Sequence, residues 1–151
     1  MIRGIHHASI TTANLDRLVR FYCDLLGFEV ALDFEWGVGN EAADRIYGLK
    51  DSAVRMAMLK TGNAFLELFE FANPVGKPGD PARPVCDQGY THICIAVTDI
   101  EAEFARLSAA GMHFNCPPQH LPGLCKATYG RDPDGNIVEL MEPDPTGAFA
   151  F

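Results

Sequence analysis

The chain has no apolar run long enough to cross a bilayer, no C-x-x-C pair and no cluster of basic residues, and each absence removes a class of function. A spanning helix needs about 20 consecutive apolar residues, so no membrane is expected as a partner. The five cysteines, at positions 23, 86, 94, 116 and 125, are odd in number and scattered. They read as reduced thiols rather than as a disulfide framework or a structural zinc knuckle. With 12 Lys and Arg against 20 Asp and Glu, a formal charge of -8 and a pI near 4.9, the basic face that nucleic acid selects is missing, and no nucleic-acid partner is expected. The first residues, Met1-Ile2-Arg3-Gly4-Ile5, lack the basic, apolar and small-residue regions of a secretory signal, which points to the cytoplasm. At 48% hydrophobic and 21% charged the composition is that of a globular chain, and 151 residues suit one compact domain or two small modules sharing a core.

What is present is a repeat. Gly4-Ile5-His6-His7-Ala8-Ser9-Ile10-Thr11 is echoed by Gly89-Tyr90-Thr91-His92-Ile93-Cys94-Ile95-Ala96. After each, apolar residues recur at helical spacing and stop at a glycine, Gly27 or Gly111. The offset from His7 to His92 is 85 and that from Gly27 to Gly111 is 84, so strand, helix and terminator coincide within one residue. Each half then reaches an apolar-Glu-Leu strand, Leu66-Glu67-Leu68 or Val138-Glu139-Leu140. Residues 1–73 form the first module, 74–89 a linker rich in proline and glycine, and 90–151 the second module with a short apolar tail, Ala148-Phe149-Ala150-Phe151. The predicted fold is α+β: paired βαβββ modules forming a metal-binding cleft. The first half carries a surplus over residues 37–49, with a short helix predicted at 41–47.

Strand side chains alternate between faces. His7 shares a face with Ser9 and Thr11, and His92 with Cys94 and Ala96; Glu67 and Glu139 are each flanked by apolar residues pointing the other way. A carboxylate centred in an apolar strand is costly unless it has a partner. Singly, a strand histidine is ordinarily hydrogen-bonded and a strand glutamate ordinarily solvated. Repeated at matching positions and parity, His7, Glu67, His92 and Glu139 read as ligands of one divalent metal, with nickel, zinc, cobalt, manganese and ferrous iron all suited to imidazole plus carboxylate. By the same parity His6 is packed or exposed, and Glu70 and Glu142 are strand-end solvent residues. Phe65, Phe69 and Phe71 are expected to line the cleft, with Trp36 and His120 as loop candidates.

The quoted histidine and glutamate segments, together with Phe21-Tyr22, Leu26-Gly27-Phe28-Glu29-Val30 and Arg131-Asp132-Pro133-Asp134-Gly135-Asn136, resemble the vicinal oxygen chelate superfamily. This is the group of glyoxalase I, methylmalonyl-CoA epimerase, the extradiol dioxygenases and the fosfomycin-resistance proteins. The resemblance runs from residue 4 to 142 and sets the four ligand candidates on the family's metal positions. It implies a small-molecule substrate chelated through neighbouring oxygens, and a homodimer. Members with a carboxylate on the fourth strand include proton-transferring isomerases, so Glu67 implies an isomerase or lyase, with Glu67 and Glu139 as the catalytic pair. A ferrous ring-cleaving dioxygenase and a non-catalytic binding protein are the alternatives. Asp24 stands where glutathione-using relatives carry a basic residue, and Phe71 where they carry asparagine, so glutathione is not implied.

Overall fold

A computed structural model describes residues 1–150, and its backbone divides into two compact units, Met1–Gly79 and the chain from Asp80 onward. The tail residue Phe151 lies outside the described residues. No described helix is long and apolar enough to cross a membrane. The α+β architecture expected from the repeat is present, as one four-stranded and one five-stranded sheet.

The first unit runs β1 (His7–Thr11), α1 (Leu15–Arg20), β2 (Glu29–Trp36), α2 (Glu41–Tyr47), β3 (Ala53–Thr61) and β4 (Ala64–Asn73). Its sheet has the order β1-β4-β3-β2, with β1 parallel to β4 and the other pairs antiparallel. Asn14 caps α1 by accepting from the Arg17 N–H at 3.0 Å. The helical run continues past α1 as a π-helical turn over Phe21–Leu25, a register change that apolar periodicity alone does not resolve. Gly27, with φ of 72°, then ends it in the left-handed conformation that glycine adopts without strain. One sheet face carries Ala57, Leu59, Leu66 and Leu68, which with Leu15, Leu18 and Tyr22 of the helical segment form the buried core. Removing that apolar area from water is the main stabilising term.

The second unit runs β5 (His92–Ala96), α3 (Ile100–Ala109), β6 (His113–Phe114), β7 (Gln119–Leu121), β8 (Cys125–Arg131) and β9 (Ile137–Pro143). Its sheet has the order β5-β9-β8-β6, and β7 also pairs with β8. The strand β7 is an addition to the expected βαβββ pattern. Ile100 and Leu107 of α3, with Val138 and Leu140 of β9, are fully buried.

Glu70 and Glu142 are not strand-end solvent residues. Glu70 Oε2 accepts from the Leu15 N–H at 2.6 Å, and the two oxygens of Glu142 accept from the Asp99 and Ile100 N–H groups at 3.2 Å. Each carboxylate therefore satisfies donors at the start of its unit's helix, where the helix dipole also favours negative charge. A basic residue on the neighbouring strand completes each arrangement. Arg55 meets Asp16 at 2.7 Å and Glu70 at 3.9 Å, while Lys126 meets Glu101 at 2.9 Å and Glu142 at 3.7 Å.

Candidate functional site

Strand register brings each histidine beside its glutamate. Ser9 is the partner of Glu67 across β1 and β4, and Cys94 is the partner of Glu139 across β5 and β9. Each histidine thus sits two residues before the residue paired with the glutamate, on the same face. His7 Nε2 lies 3.5 Å from Glu67 Oε2, and His92 Nε2 lies 3.1 Å from Glu139 Oε2. The carboxylates are the more enclosed partners, with side-chain exposures of 13% and 14%.

The residue before each histidine holds its other ring nitrogen. His6 and His7 share a hydrogen bond through their Nδ1 atoms at 2.9 Å, and Thr91 Oγ1 shares one with His92 Nδ1 at 2.8 Å. His6 is exposed yet stacked on Phe65, with ring centroids 4.9 Å apart. A partner at Nδ1 fixes the ring and, when Nδ1 carries the proton, leaves the Nε2 lone pair on the carboxylate side. His6 is packed and exposed as expected, and because it precedes β1 its bond to His7 lies outside that strand's alternation.

The donor set fits a divalent cation. Adjacent ligands of an ion with bonds of about 2.1 Å stand roughly 3.0 Å apart on an octahedral edge and roughly 3.4 Å apart on a tetrahedral one. Both His–Glu separations are of this size, and imidazole nitrogen with carboxylate oxygen suits the divalent ions named above. Among the described residues no group of three or more His, Cys, Asp or Glu is gathered into a metal-holding cluster. Each unit holds one His–Glu pair.

Two tyrosines that sequence reasoning left aside lie close to the carboxylates. Tyr129 is paired with Glu139 across β8 and β9, its ring 4.9 Å from that of His92. Desolvation first and the Glu139 charge second push its phenol up. Tyr47, at the end of α2, is likewise pushed up by desolvation and then by the charge of Glu67. Beside Glu139 the Cys94 thiol is raised to about 12, by desolvation, by the Glu139 charge and by donating to that carboxylate. It is a neutral donor here, not a thiolate.

The expected cleft residues divide. Phe69 and Phe71 sit on the Glu67 face of β4, packed with Val54, Met56, Met58 and Trp36. Trp36 is the last residue of β2, not a loop residue, because β2 extends through it to pair with Val54. His120 is also in a strand: it is the centre of β7, pairs with Lys126 and is exposed. Phe65 is partly buried against His6. Asp24 falls within the π-helical turn.

Comparison with known proteins identifies the family and the fold. The profile of the Glyoxalase/Bleomycin resistance protein/Dioxygenase superfamily matches residues 4–140. The chain is 31% identical over 142 residues to the uncharacterized protein YaeR of Escherichia coli K12, covering 93% of this chain and 97% of that one. It is 32% identical over 108 residues to a 2-epi-5-epi-valiolone epimerase from an Actinomyces species, covering 70% of this chain and 58% of the epimerase. A solved glyoxalase family protein from Bacillus cereus shares the fold, with a TM-score of 0.85 over 95% of each chain at 24% identity. The chain belongs to the Glyoxalase/Bleomycin resistance protein/Dioxygenase superfamily.

Proposed function

We propose that this protein is a divalent-metal-dependent isomerase or lyase that removes a proton next to a carbonyl of a small substrate held through vicinal oxygens. His7, Glu67, His92 and Glu139 are its metal ligands. The observation carrying this reading is the repeated pairing, in which both halves present a carboxylate to an imidazole in the same register. The similarity to a protein named as an epimerase supports proton transfer, and the 28% identity over 89% of this chain to a biphenyl-2,3-diol 1,2-dioxygenase of Rhodococcus globerulus supports the oxygen-chemistry alternative.

A bound divalent ion supplies Lewis acidity, drawing charge from the substrate oxygens so that the neighbouring C–H is acidified. The base is a carboxylate oxygen of Glu67 or Glu139. It accepts the proton as the C–H electron pair moves toward the carbonyl oxygen, then returns the proton to another carbon or to the opposite face, so that the carboxylate ends as it began. His7 and His92, each held at Nδ1, keep the site's geometry fixed during the transfer. A homodimer, implied by the family resemblance, is part of this reading.

Incubation in heavy water with 2-oxo hemithioacetals and 2-methyl-3-oxo thioesters tests it. Deuterium should enter the substrate C–H with wild-type protein and not with Glu67→Gln. The aromatic surroundings of Glu67 favour one second reading, a ferrous ring-cleaving dioxygenase, for which catechols would drive oxygen consumption without C–H exchange.

A further inference from the structure

On the Glu67 face of the first sheet, four rings form a continuous shelf. Trp36 and Tyr47 are stacked, with centroids 5.7 Å apart and planes 10° from parallel. Tyr47 meets Phe69 edge-on at 5.6 Å and Phe71 at 6.5 Å, and Phe69 lies 5.5 Å from Phe71. Register keeps the shelf contiguous with the proposed ligand, because Met58 is paired with Glu67, Met56 with Phe69 and Val54 with Phe71. The charge of Glu67 is felt at the Tyr47 phenol.

The shelf is the outer rim of a second apolar cluster, whose centre, Val54, Met56 and Phe69, is buried, and its rim has features of its own. The residues packed under α1 lie on the opposite sheet face, so the shelf is not needed to hold that helix. Tyr47 remains 40% exposed, while Phe69 beneath it is 5% exposed. The shelf is also held by polar bonds: Trp36 Nε1–H donates to the fully buried Ser52 at 3.0 Å, and Ser52 hydrogen-bonds Asp44 of α2 through both its N–H, at 2.8 Å, and its hydroxyl. Asp44 also accepts from the Asp51 N–H at 2.8 Å. Trp36 and the helix bearing Tyr47 are thus locked together before any ligand arrives, which lowers the ordering cost of binding. The second half has no counterpart, since the positions two and four residues after Glu139 are Met141 and Pro143, and the surplus that carries Tyr47 is absent there.

We infer that the Trp36, Tyr47, Phe69 and Phe71 shelf seats a planar aromatic group of the substrate, with Tyr47 as the residue that sets this preference. The inference rests on the metal-site reading for the placement of the substrate's oxygens near Glu67. A ring on the shelf gains apolar burial and stacking, while its vicinal oxygens lie on the carboxylate side. An aliphatic substrate would meet the same carboxylate and leave the rings uncovered.

Trp36 is the only tryptophan, so its emission reports the shelf directly. The purified, metal-containing protein is titrated with 4-nitrocatechol, as an aromatic vicinal diol, and with dihydroxyacetone, as an aliphatic compound with neighbouring oxygens; free N-acetyltryptophanamide corrects for absorbance. Wild type should show saturable quenching by 4-nitrocatechol. Tyr47→Ala should weaken that binding about tenfold, and Tyr47→Phe, which keeps the ring, should leave it near the wild-type value. Phe71→Leu, which keeps apolar volume, should weaken it too, with thermal melts showing that each variant is folded. Equal binding of both probes, or a Tyr47→Ala variant that binds 4-nitrocatechol like wild type, overturns the inference. Saturable aromatic binding without deuterium exchange on any substrate would uphold the shelf and defeat the proton-transfer reading; exchange confined to aliphatic substrates with Trp36 silent would do the reverse.

Discussion

His92 Nε2 lies 3.1 Å from Glu139 Oε2, and the nitrogen on the far side of the same ring is engaged by Thr91. An imidazole held at Nδ1 thus presents Nε2 to a carboxylate, and the first unit repeats the arrangement with His6, His7 and Glu67.

Under the proposed metal site, the Nδ1 partner should contribute to metal affinity. Outer partners of ligating histidines typically contribute 10- to 100-fold. Thr91→Val should lower the affinity for zinc or manganese by about that factor while leaving the unfolding midpoint in urea close to wild type. Competition against a metallochromic chelator measures the first and far-UV circular dichroism the second.

The two faces of β9 should separate function from stability. Leu140 is fully buried, and Leu140→Ala should cost about 2–5 kcal/mol through lost burial and the cavity left behind. Glu139→Gln, on the opposite face, should leave urea stability of the metal-free protein within about 1 kcal/mol of wild type and remove metal binding.

The strand-borne carboxylates at the helix starts make a third test. Glu70→Ala strips the acceptor from the Leu15 N–H and a favourable charge from the α1 terminus, and should destabilise the fold by about 1 kcal/mol. Glu142→Ala should do the same at α3. Equilibrium unfolding in urea reads both, and metal content should be unchanged.

In the metal-free protein the raised Cys94 thiol gives a pH signature. Burial and the Glu139 charge push it from the ordinary thiol value of 9.0 up to about 12, so the fold favours the protonated form. The associated stability is complete below the unfolded value and is lost as pH rises from about 9 toward 12. Cys86, Cys94 and Cys116 are all exposed, so alkylation by iodoacetamide at pH 8, followed by mass spectrometry, should label Cys86 and Cys116 well before Cys94, because the Cys94 thiol is raised. Glu139→Gln, which removes the neighbouring charge, should accelerate labelling of Cys94.

The sequence carried the repeat, the strand parity and the four ligand candidates because these depend on local alternation and on spacing within the chain. Leu66 and Leu68, both buried, show that alternation correctly assigned the core face. Glu70 and Glu142 were misread because their partners lie 55 and 42–43 residues away, beyond any local window. Trp36 and His120 read as loop residues because the strand ends and the short β7, set between Pro117-Pro118 and Gly123, lack the apolar alternation that marks a strand. Tyr47 lies inside a helical surplus that no motif marks. Its only signal was position: it ends α2, directly before the left-handed Gly48.

Metal analysis of the purified protein and its single-site variants tests the central claim most directly. Four protein ligands per ion and four per chain predict one divalent ion per chain in wild type, and loss of that ion in both Glu67→Gln and His92→Ala, since each removes one donor from a different half. A protein that binds no divalent ion, or one whose metal content is unchanged by both substitutions, would contradict the account.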